Sequence, residues 1–151
     1  MLDAASVICS AALYLASSYG VPQDRADSIC ENSIIIASIT ESHDIDPLLL
    51  LAMGFYESRW KVTAISPVNA CGPLQVIPKY SKYSCKELME IPTAVSEASR
   101  VLNKWKARKR TNDMSRILPC YASGNACSAH SYATKIMKLH RQLKAKVSAL
   151  K

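Results

Sequence analysis

Apolar positions recur at helical spacing along most of this chain, and the interruptions between them mark where helices begin and end. Residues 2–19 are rich in Ala and Leu and stop at Gly20, which predicts a helix followed by a turn. A second helix is predicted over residues 24–42. Its core-facing stripe is expected to contain Ile29, Ile34, Ile35, Ile36 and Ile39. The β-branched run 34–36 leaves a strand as the alternative for that stretch.

The third segment has the strongest helical signal. Asp46 suits an N-cap and Pro47 the first helical position, so a helix is predicted to begin there. Residues 48–56 are apolar on every side, which is typical of a helix buried at the centre of a bundle. The apolar run stops at Glu57, so the helix is predicted to carry a carboxyl group at its C-terminal end.

The rest of the chain divides into an irregular segment and three further helices. Residues 61–85 mix β-branched residues with prolines, which predicts irregular structure with two or three short strands. Helices are predicted over residues 93–108 and 114–121, and from about residue 129. The last of them carries an apolar face made of Ile136, Leu139, Leu143, Val147 and Leu150. The pattern as a whole predicts a mainly α fold, a helical bundle around a buried central helix.

The length of 151 residues predicts one domain over residues 1–151. Within it we distinguish an N-terminal helical hairpin at 1–45, a core at 46–140 and a C-terminal helix at 129–150. No run of 18 apolar residues occurs, so we expect no membrane span. We also expect a monomer.

A net charge of +7 favours anionic partners: cell-wall polymers, nucleic acid or a membrane surface. Much of the excess lies in residues 104–110 and 135–151, for which a solvated helix face is the alternative interpretation. The chain has no groove-reading motif and no interleaving of basic and aromatic residues, so we expect no nucleic-acid partner.

Six cysteines, an even number, favour disulfides formed in an oxidising compartment. Their layout along the chain favours the pairs Cys9–Cys30, Cys71–Cys85 and Cys120–Cys127. Buried, reduced thiols are the alternative, since free cysteine is common in protein cores. No CxxC pair occurs and the three histidines are scattered, so we expect no metal and no cofactor.

Glu57 is the candidate for chemistry because it ends the most apolar segment of the chain. Burial beside Met53, Phe55 and Trp60 and the negative end of the helix dipole should both raise its pKa. A carboxyl group that stays protonated near neutral pH is what a glycosidase uses to protonate a leaving oxygen. A surface carboxylate paired with a neighbouring base is the alternative.

The segment that starts at Glu57, ESRWKVTAISPVNACGPLQVIP, resembles the signature of the soluble lytic transglycosylase family of the lysozyme-like superfamily. That signature runs Glu-Ser-x-aromatic and then Ala-x-Ser-x-x-Gly-Ala-x-Gly-Leu-Met-Gln-Val-x-Pro. The matching residues are Glu57, Ser58, Trp60, Ala64, Ser66, Ala70, Gly72, Gln75, Val76 and Pro78. A second family signature, Ala-Tyr-Asn-Ala-Gly, is matched by Tyr121 and Gly124. The resemblance covers residues 47–137 and implies an α+β lysozyme-like fold.

Three departures from the signature concern the substrate groove. Asn69 stands where the family has Gly, and Asn tolerates left-handed backbone geometry better than most residues. Pro73 and Leu74 replace Leu-Met, so Leu74 is expected to supply the apolar contact that the family Met makes near the sugar. Ala122 replaces the Asn that follows the tyrosine.

The resemblance implies that one carboxyl group, Glu57, cleaves the bond between N-acetylmuramic acid and N-acetylglucosamine and leaves a 1,6-anhydro product. Hydrolytic lysozymes more commonly carry a second carboxylate. No Asp or Glu lies between Glu57 and Glu87, and Asp44, Asp46 and Asp113 are more distant candidates. The sequence therefore favours a lytic transglycosylase over a hydrolytic muramidase or endolysin.

By matched position, Ser66 and Gln75 are expected to bind polar groups of the substrate, and backbone around Gly72 to meet the glycan. Tyr121 is expected to hold the Glu57 carboxyl or a nearby sugar. The alternatives are a hydrogen bond from Gln75 to loop backbone and a packed aromatic ring at Tyr121. At the level of the whole protein, the alternative is a catalytically silent module that binds the cell wall.

The expected partner is therefore the peptidoglycan glycan strand, in the bacterial periplasm or cell wall. The first residues, Met1-Leu2-Asp3, place an acid and no base ahead of the apolar stretch and do not resemble a signal peptide. We expect a bacteriophage protein released at lysis or carried in the virion, a secretion-associated protein, or a chain whose leader has been removed.

Overall fold

A computed structural model describes residues 2–150, and over that range the chain forms seven α-helices. They are α1 (Ala4–Tyr19), α2 (Gln23–Glu31), α3 (Ser33–Ser42), α4 (Pro47–Ser58), α5 (Ile91–Lys109), α6 (Met114–Ser123) and α7 (His130–Ser148). Short 3-10 turns lie at Pro78–Tyr80, Glu87–Met89 and Gly124–Ala126. The predicted mainly α fold is confirmed.

Helix α4 lies at the centre of the bundle. The helix begins where it was predicted to begin. The Asp46 carboxylate caps it by accepting a hydrogen bond from the backbone N–H of Leu48 at 2.9 Å, and Pro47 occupies the first turn. Residues 48–55 are all buried, and α1, α3 and α7 pack against this helix. Buried residues from all seven helices join one hydrophobic cluster, so the predicted bundle around a buried central helix is confirmed.

The second predicted helix is two helices, which differs from the expectation for residues 24–42. The break falls at Asn32, whose side-chain amide donates to the carbonyl of Ser28 at 2.8 Å and so competes with the helical hydrogen bonds. The predicted apolar stripe is correspondingly wrong in part. Ile29 and Ile36 are buried, whereas Ile34 is 78% exposed and Ile35 43% exposed.

The two or three short strands expected in residues 61–85 do not form. Within the described residues this segment contains only isolated antiparallel bridges, from Cys71 to Ile65 and from Cys71 to Val76. The chain reverses direction too often for a ladder to extend, because positive φ angles recur along it. They occur at Asn69, Gly72 and Gln75. The expectation that Asn69 would accept a left-handed backbone is confirmed by its φ of 61°.

All three predicted disulfides are present: Cys9–Cys30, Cys71–Cys85 and Cys120–Cys127. Disulfides of this kind fit an oxidising compartment outside the cytoplasm. Over residues 2–150, no helix combines the length and the apolar character that a membrane crossing requires. The same residues contain no cluster of three or more His, Cys, Asp or Glu side chains suited to a metal ion.

Candidate active site

Glu57 lies in the last turn of α4, where a tight reversal of the chain holds it. Arg59 and Trp60 both adopt left-handed backbone conformations, with φ of 52° and 59°, and turn the chain back over the helix. The Trp60 side chain is buried, and its indole N–H donates to the carbonyl of Leu51 at 2.9 Å. It lies so close to Gly54 that a β-carbon there would come within 2.3 Å of the ring. This packing orients the end of α4.

The environment of Glu57 keeps its carboxyl group protonated to unusually high pH. Burial raises its pKa from the ordinary 4.5 to about 7, and the nearby Tyr132 hydroxyl offsets part of the increase. The helix dipole acts in the same direction as burial, because Glu57 is at the negative end of α4. At neutral pH the group is therefore divided between its acid and its base form, as an acid–base catalyst requires.

Two tyrosines accompany this carboxyl group. The Tyr121 hydroxyl donates to the carbonyl of Leu74 at 2.8 Å, which ties α6 to the loop between α4 and α5. The Tyr132 hydroxyl, from α7, is buried and has no described partner at full hydrogen-bonding distance and angle, yet it lies close enough to Glu57 to lower the pKa of that carboxyl. Burial raises the pKa of both phenols well above the ordinary value, and the charge of Glu57 raises them further. Both tyrosines therefore stay protonated, but the Tyr121 proton is committed to the Leu74 carbonyl, so Tyr132 is the one of the two that can donate beside Glu57.

The loop between α4 and α5 is held by its own polar side chains. The Ser66 hydroxyl accepts from the backbone N–H of Ala70 at 3.0 Å. The Gln75 amide donates to the carbonyl of Gly72 at 2.9 Å and to that of Ala64 at 3.2 Å. These bonds support the alternative interpretation of Gln75, in which it holds loop backbone. They leave its amide oxygen free to accept a further hydrogen bond.

Two further contacts fix this loop against the helices. The Ser58 hydroxyl, next to Glu57 in α4, donates to the carbonyl of Pro73 at 2.7 Å. A β-carbon on Gly72 would lie 1.9 Å from the carbonyl oxygen of Leu88, so only glycine fits at this approach. The disulfide Cys71–Cys85 closes the same region covalently. The loop wall beside Glu57 is therefore preorganised.

These elements enclose a cleft of about 780 Å³ between the end of α4, the loop, α5 and α6. Four of the predicted site residues line it together: Glu57, Ser66, Gln75 and Tyr121. Exposed Tyr56 and Tyr80 also border it and add aromatic surface to its walls.

Two predicted site residues do not face the cleft. The Leu74 side chain is fully buried in the main hydrophobic cluster and does not line the cleft, and its expected contact with a sugar stays a prediction. Its role is structural, since its carbonyl accepts from Tyr121. Gly72 is also buried, and its backbone groups bond to Ala64 and Gln75. These backbone groups are thus used within the loop, and the expected contact between backbone at Gly72 and the glycan stays a prediction.

Glu57 is the single carboxylate among the described residues that line the cleft. Asp46 binds His140 at 2.8 Å at the opposite end of α4, about 16 Å away by helical rise. Asp113 caps the start of α6 by accepting from the backbone N–H of Ser115 at 3.0 Å. Asp44, the third candidate, does not line the cleft either. The second acid that a hydrolase commonly uses is therefore missing from this cleft.

Sequence reasoning missed an ion pair beside the site, between a buried carboxylate and an arginine whose side chain is 46% exposed. The Glu97 side chain is 3% exposed and bonds to Arg100 with an N–O distance of 2.6 Å. Burial raises the pKa of Glu97, but the hydrogen bonds from Arg100 and Ser81 and the charges of Arg100 and Lys82 together outweigh that effect and hold the pKa below its usual value. Glu97 therefore stays an anion that orients Arg100, which lines the cleft. The spacing of three residues within α5 was the only signal for this pair in the sequence.

Sequence reasoning also missed Tyr132. It lies four positions before Ile136 and seven before Leu139, so the period of α7 places it on the core-facing side. Periodicity does not show that this side faces Glu57 across the bundle.

Comparison of the chain with protein-family models, with curated proteins and with solved structures found no match.

Proposed function

We propose that this protein is a peptidoglycan lytic transglycosylase, with Glu57 as both acid and base. The proposal is carried by one observation: a lone carboxyl group with a pKa of about 7 lies in a cleft beside two protonated tyrosines. The resemblance of the segment 57–78 to the soluble lytic transglycosylase signature supports it. The three disulfides fit work in the periplasm or cell wall.

The reaction begins with Glu57 in its acid form. Its proton passes to the glycosidic oxygen between N-acetylmuramic acid and N-acetylglucosamine, the bond from that oxygen to C1 breaks, and the leaving sugar departs as an alcohol. Glu57, now a carboxylate, lies beside the positive charge that develops at C1 and stabilises it. Desolvation in the cleft strengthens that attraction.

Glu57 then acts as a base. Its carboxylate removes the proton from the C6 hydroxyl of the same muramic acid, and the C6 oxygen bonds to C1 to give the 1,6-anhydro ring. The carboxyl group ends protonated, as it began, and no water is consumed. A single group with a pKa near neutrality can serve both steps, whereas a hydrolase needs a group to activate water.

Tyr132 is suited to the step in which Glu57 is charged. Its buried hydroxyl has no partner among the described residues, so it can donate to the Glu57 carboxylate when the proton leaves. Tyr121 is occupied with the Leu74 carbonyl and serves to fix the wall of the cleft. Ser66 and the Gln75 amide oxygen remain for hydroxyl and acetamido groups of the sugars.

The test is mass spectrometry of muropeptides released from purified peptidoglycan by the wild-type protein and by Glu57→Gln. We expect 1,6-anhydro-muramyl ends from the wild type and none from the variant. Glu41→Gln, at an exposed carboxyl outside the cleft, is the matched control and should act as the wild type does. Reducing muramic ends would make the protein a muramidase. Release of nothing by any of the three proteins would favour a cell-wall-binding module.

A further inference from the structure

We propose that Arg100, Lys104 and Arg108, which we call the cationic row, bind free carboxylates on the stem peptides of the glycan. The enzyme would then prefer strands whose peptides are acidic. This inference rests on the proposed function, which supplies the glycan as the occupant of the cleft. It adds a selectivity that the cleavage chemistry does not need.

The cationic row lies on one face of α5. Its members are four residues apart, so they follow one another along the helix over about 12 Å. All three line the same cleft as Glu57. The Arg100 end of the row is fixed by the bond to Glu97. The row therefore forms a basic border of the cleft that contains Glu57.

The outer part of the row has no anion of its own. Glu97 neutralises Arg100, but Lys104 and Arg108 form no ion pair with any described carboxylate. The Arg108 guanidinium lies over the ring of buried Trp105 at 5.0 Å, which limits its freedom and holds it at the cleft. Cations at the edge of a cleft that no described carboxylate neutralises favour an anionic ligand.

The sugars of a glycan strand that carries peptides do not supply that anion, since their hydroxyl and acetamido groups are neutral and the lactyl carboxyl of muramic acid is tied up in the amide bond to the peptide. The peptide attached to each muramic acid does, because it carries side-chain and terminal carboxylates. Such peptides branch from the glycan at short intervals and would leave the cleft along its walls. Guanidinium and ammonium groups are the usual partners of carboxylates in proteins.

The experiment measures binding of soluble glycan strands in a Glu57→Gln background, so that cleavage does not interfere. One protein carries Lys104→Gln and Arg108→Gln. Its matched control carries Lys109→Gln and Lys135→Gln, which remove the same charge from exposed positions outside the cleft. Each protein is titrated with strands bearing free stem-peptide carboxylates and with the same strands after carbodiimide amidation.

We expect the row variant to bind the free-carboxylate strands about 3- to 10-fold more weakly than the control does, the range for two partly exposed charge contacts. Amidation of the strands should weaken their binding to the control protein by a similar factor and leave their binding to the row variant unchanged. Equal affinities of the row variant and the control for free-carboxylate strands would overturn the inference. So would a row effect that survives amidation, since the row would then bind some other anion.

Failure of the proposed function is distinguishable from failure of this inference. Wild-type protein that yields no anhydro products, together with a row effect on binding, would remove the transglycosylase and keep the carboxylate-binding surface. Anhydro products formed at equal rates from free and amidated strands would keep the enzyme and remove the selectivity.

Discussion

Glu57→Gln should change how the stability of this protein depends on pH. The pKa of Glu57 is about 7 in the folded protein against 4.5 ordinarily, so folding opposes ionisation of this group. Below the lower value the carboxyl is protonated in both states and costs nothing. As pH rises from 4.5 through 7, the folded protein is progressively destabilised relative to the unfolded chain. At about 1.4 kcal/mol per pKa unit, the full cost above pH 7 is about 3 kcal/mol.

Urea unfolding, followed by far-UV circular dichroism at about pH 4.5 and about pH 8 with the disulfides intact, measures this cost. Other titrating groups are common to both proteins, so we compare the pH-induced change in free energy of unfolding between them. The wild type should lose about 3 kcal/mol more than Glu57→Gln over this range. Glu41→Gln controls for the loss of one negative charge. Equal pH dependence in the wild type and Glu57→Gln would refute the argument that Glu57 is desolvated.

Three further predictions concern the same site. The kcat/KM for glycan cleavage should fall as pH rises through about 7, because Glu57 loses its proton there. Tyr132→Phe should move this fall to higher pH, because the Tyr132 hydroxyl lowers the Glu57 pKa. A pH–rate profile of the wild type and the variant measures both effects. Gly54→Ala should lower the free energy of unfolding by about 1–3 kcal/mol in urea titration, since its methyl group would overlap a buried indole. Replacing Cys71 and Cys85 by Ser should cost about 3 kcal/mol for a loop of this size, and unchanged thermal unfolding of that variant would contradict the contribution we assign to the disulfide.

Much of the helical architecture was predictable because its signals are local. Asp46 and Pro47 mark the start of α4 through hydrogen-bonding and φ preferences that need no partner. The period of α7 likewise marks a face with buried Ile136 and Leu139. The break between α2 and α3 at Asn32 was not predictable from the same signals. Asn is tolerated within helices, and the bond to the carbonyl of Ser28 is one of several that its amide could form.

The candidate site likewise has a part that the sequence predicted and a part that it did not. The signature indicated Glu57, Ser66, Gln75 and Tyr121, and the fold brings all four to one cleft. It did not indicate which matched positions face the cleft. Leu74 is turned into the core, where it joins the main hydrophobic cluster.

The sequence by itself determined the helical class of the protein, the three disulfide pairs and Glu57 as the distinctive carboxyl group, since each follows from composition or from nearby residues. Only the tertiary structure decided what surrounds Glu57. Tyr132 reaches it from α7, 75 residues further along the chain, and the cationic row reaches the cleft from α5. Desolvation depends on these distant segments packing together, so the raised pKa of Glu57 is a property of the fold rather than of any one segment.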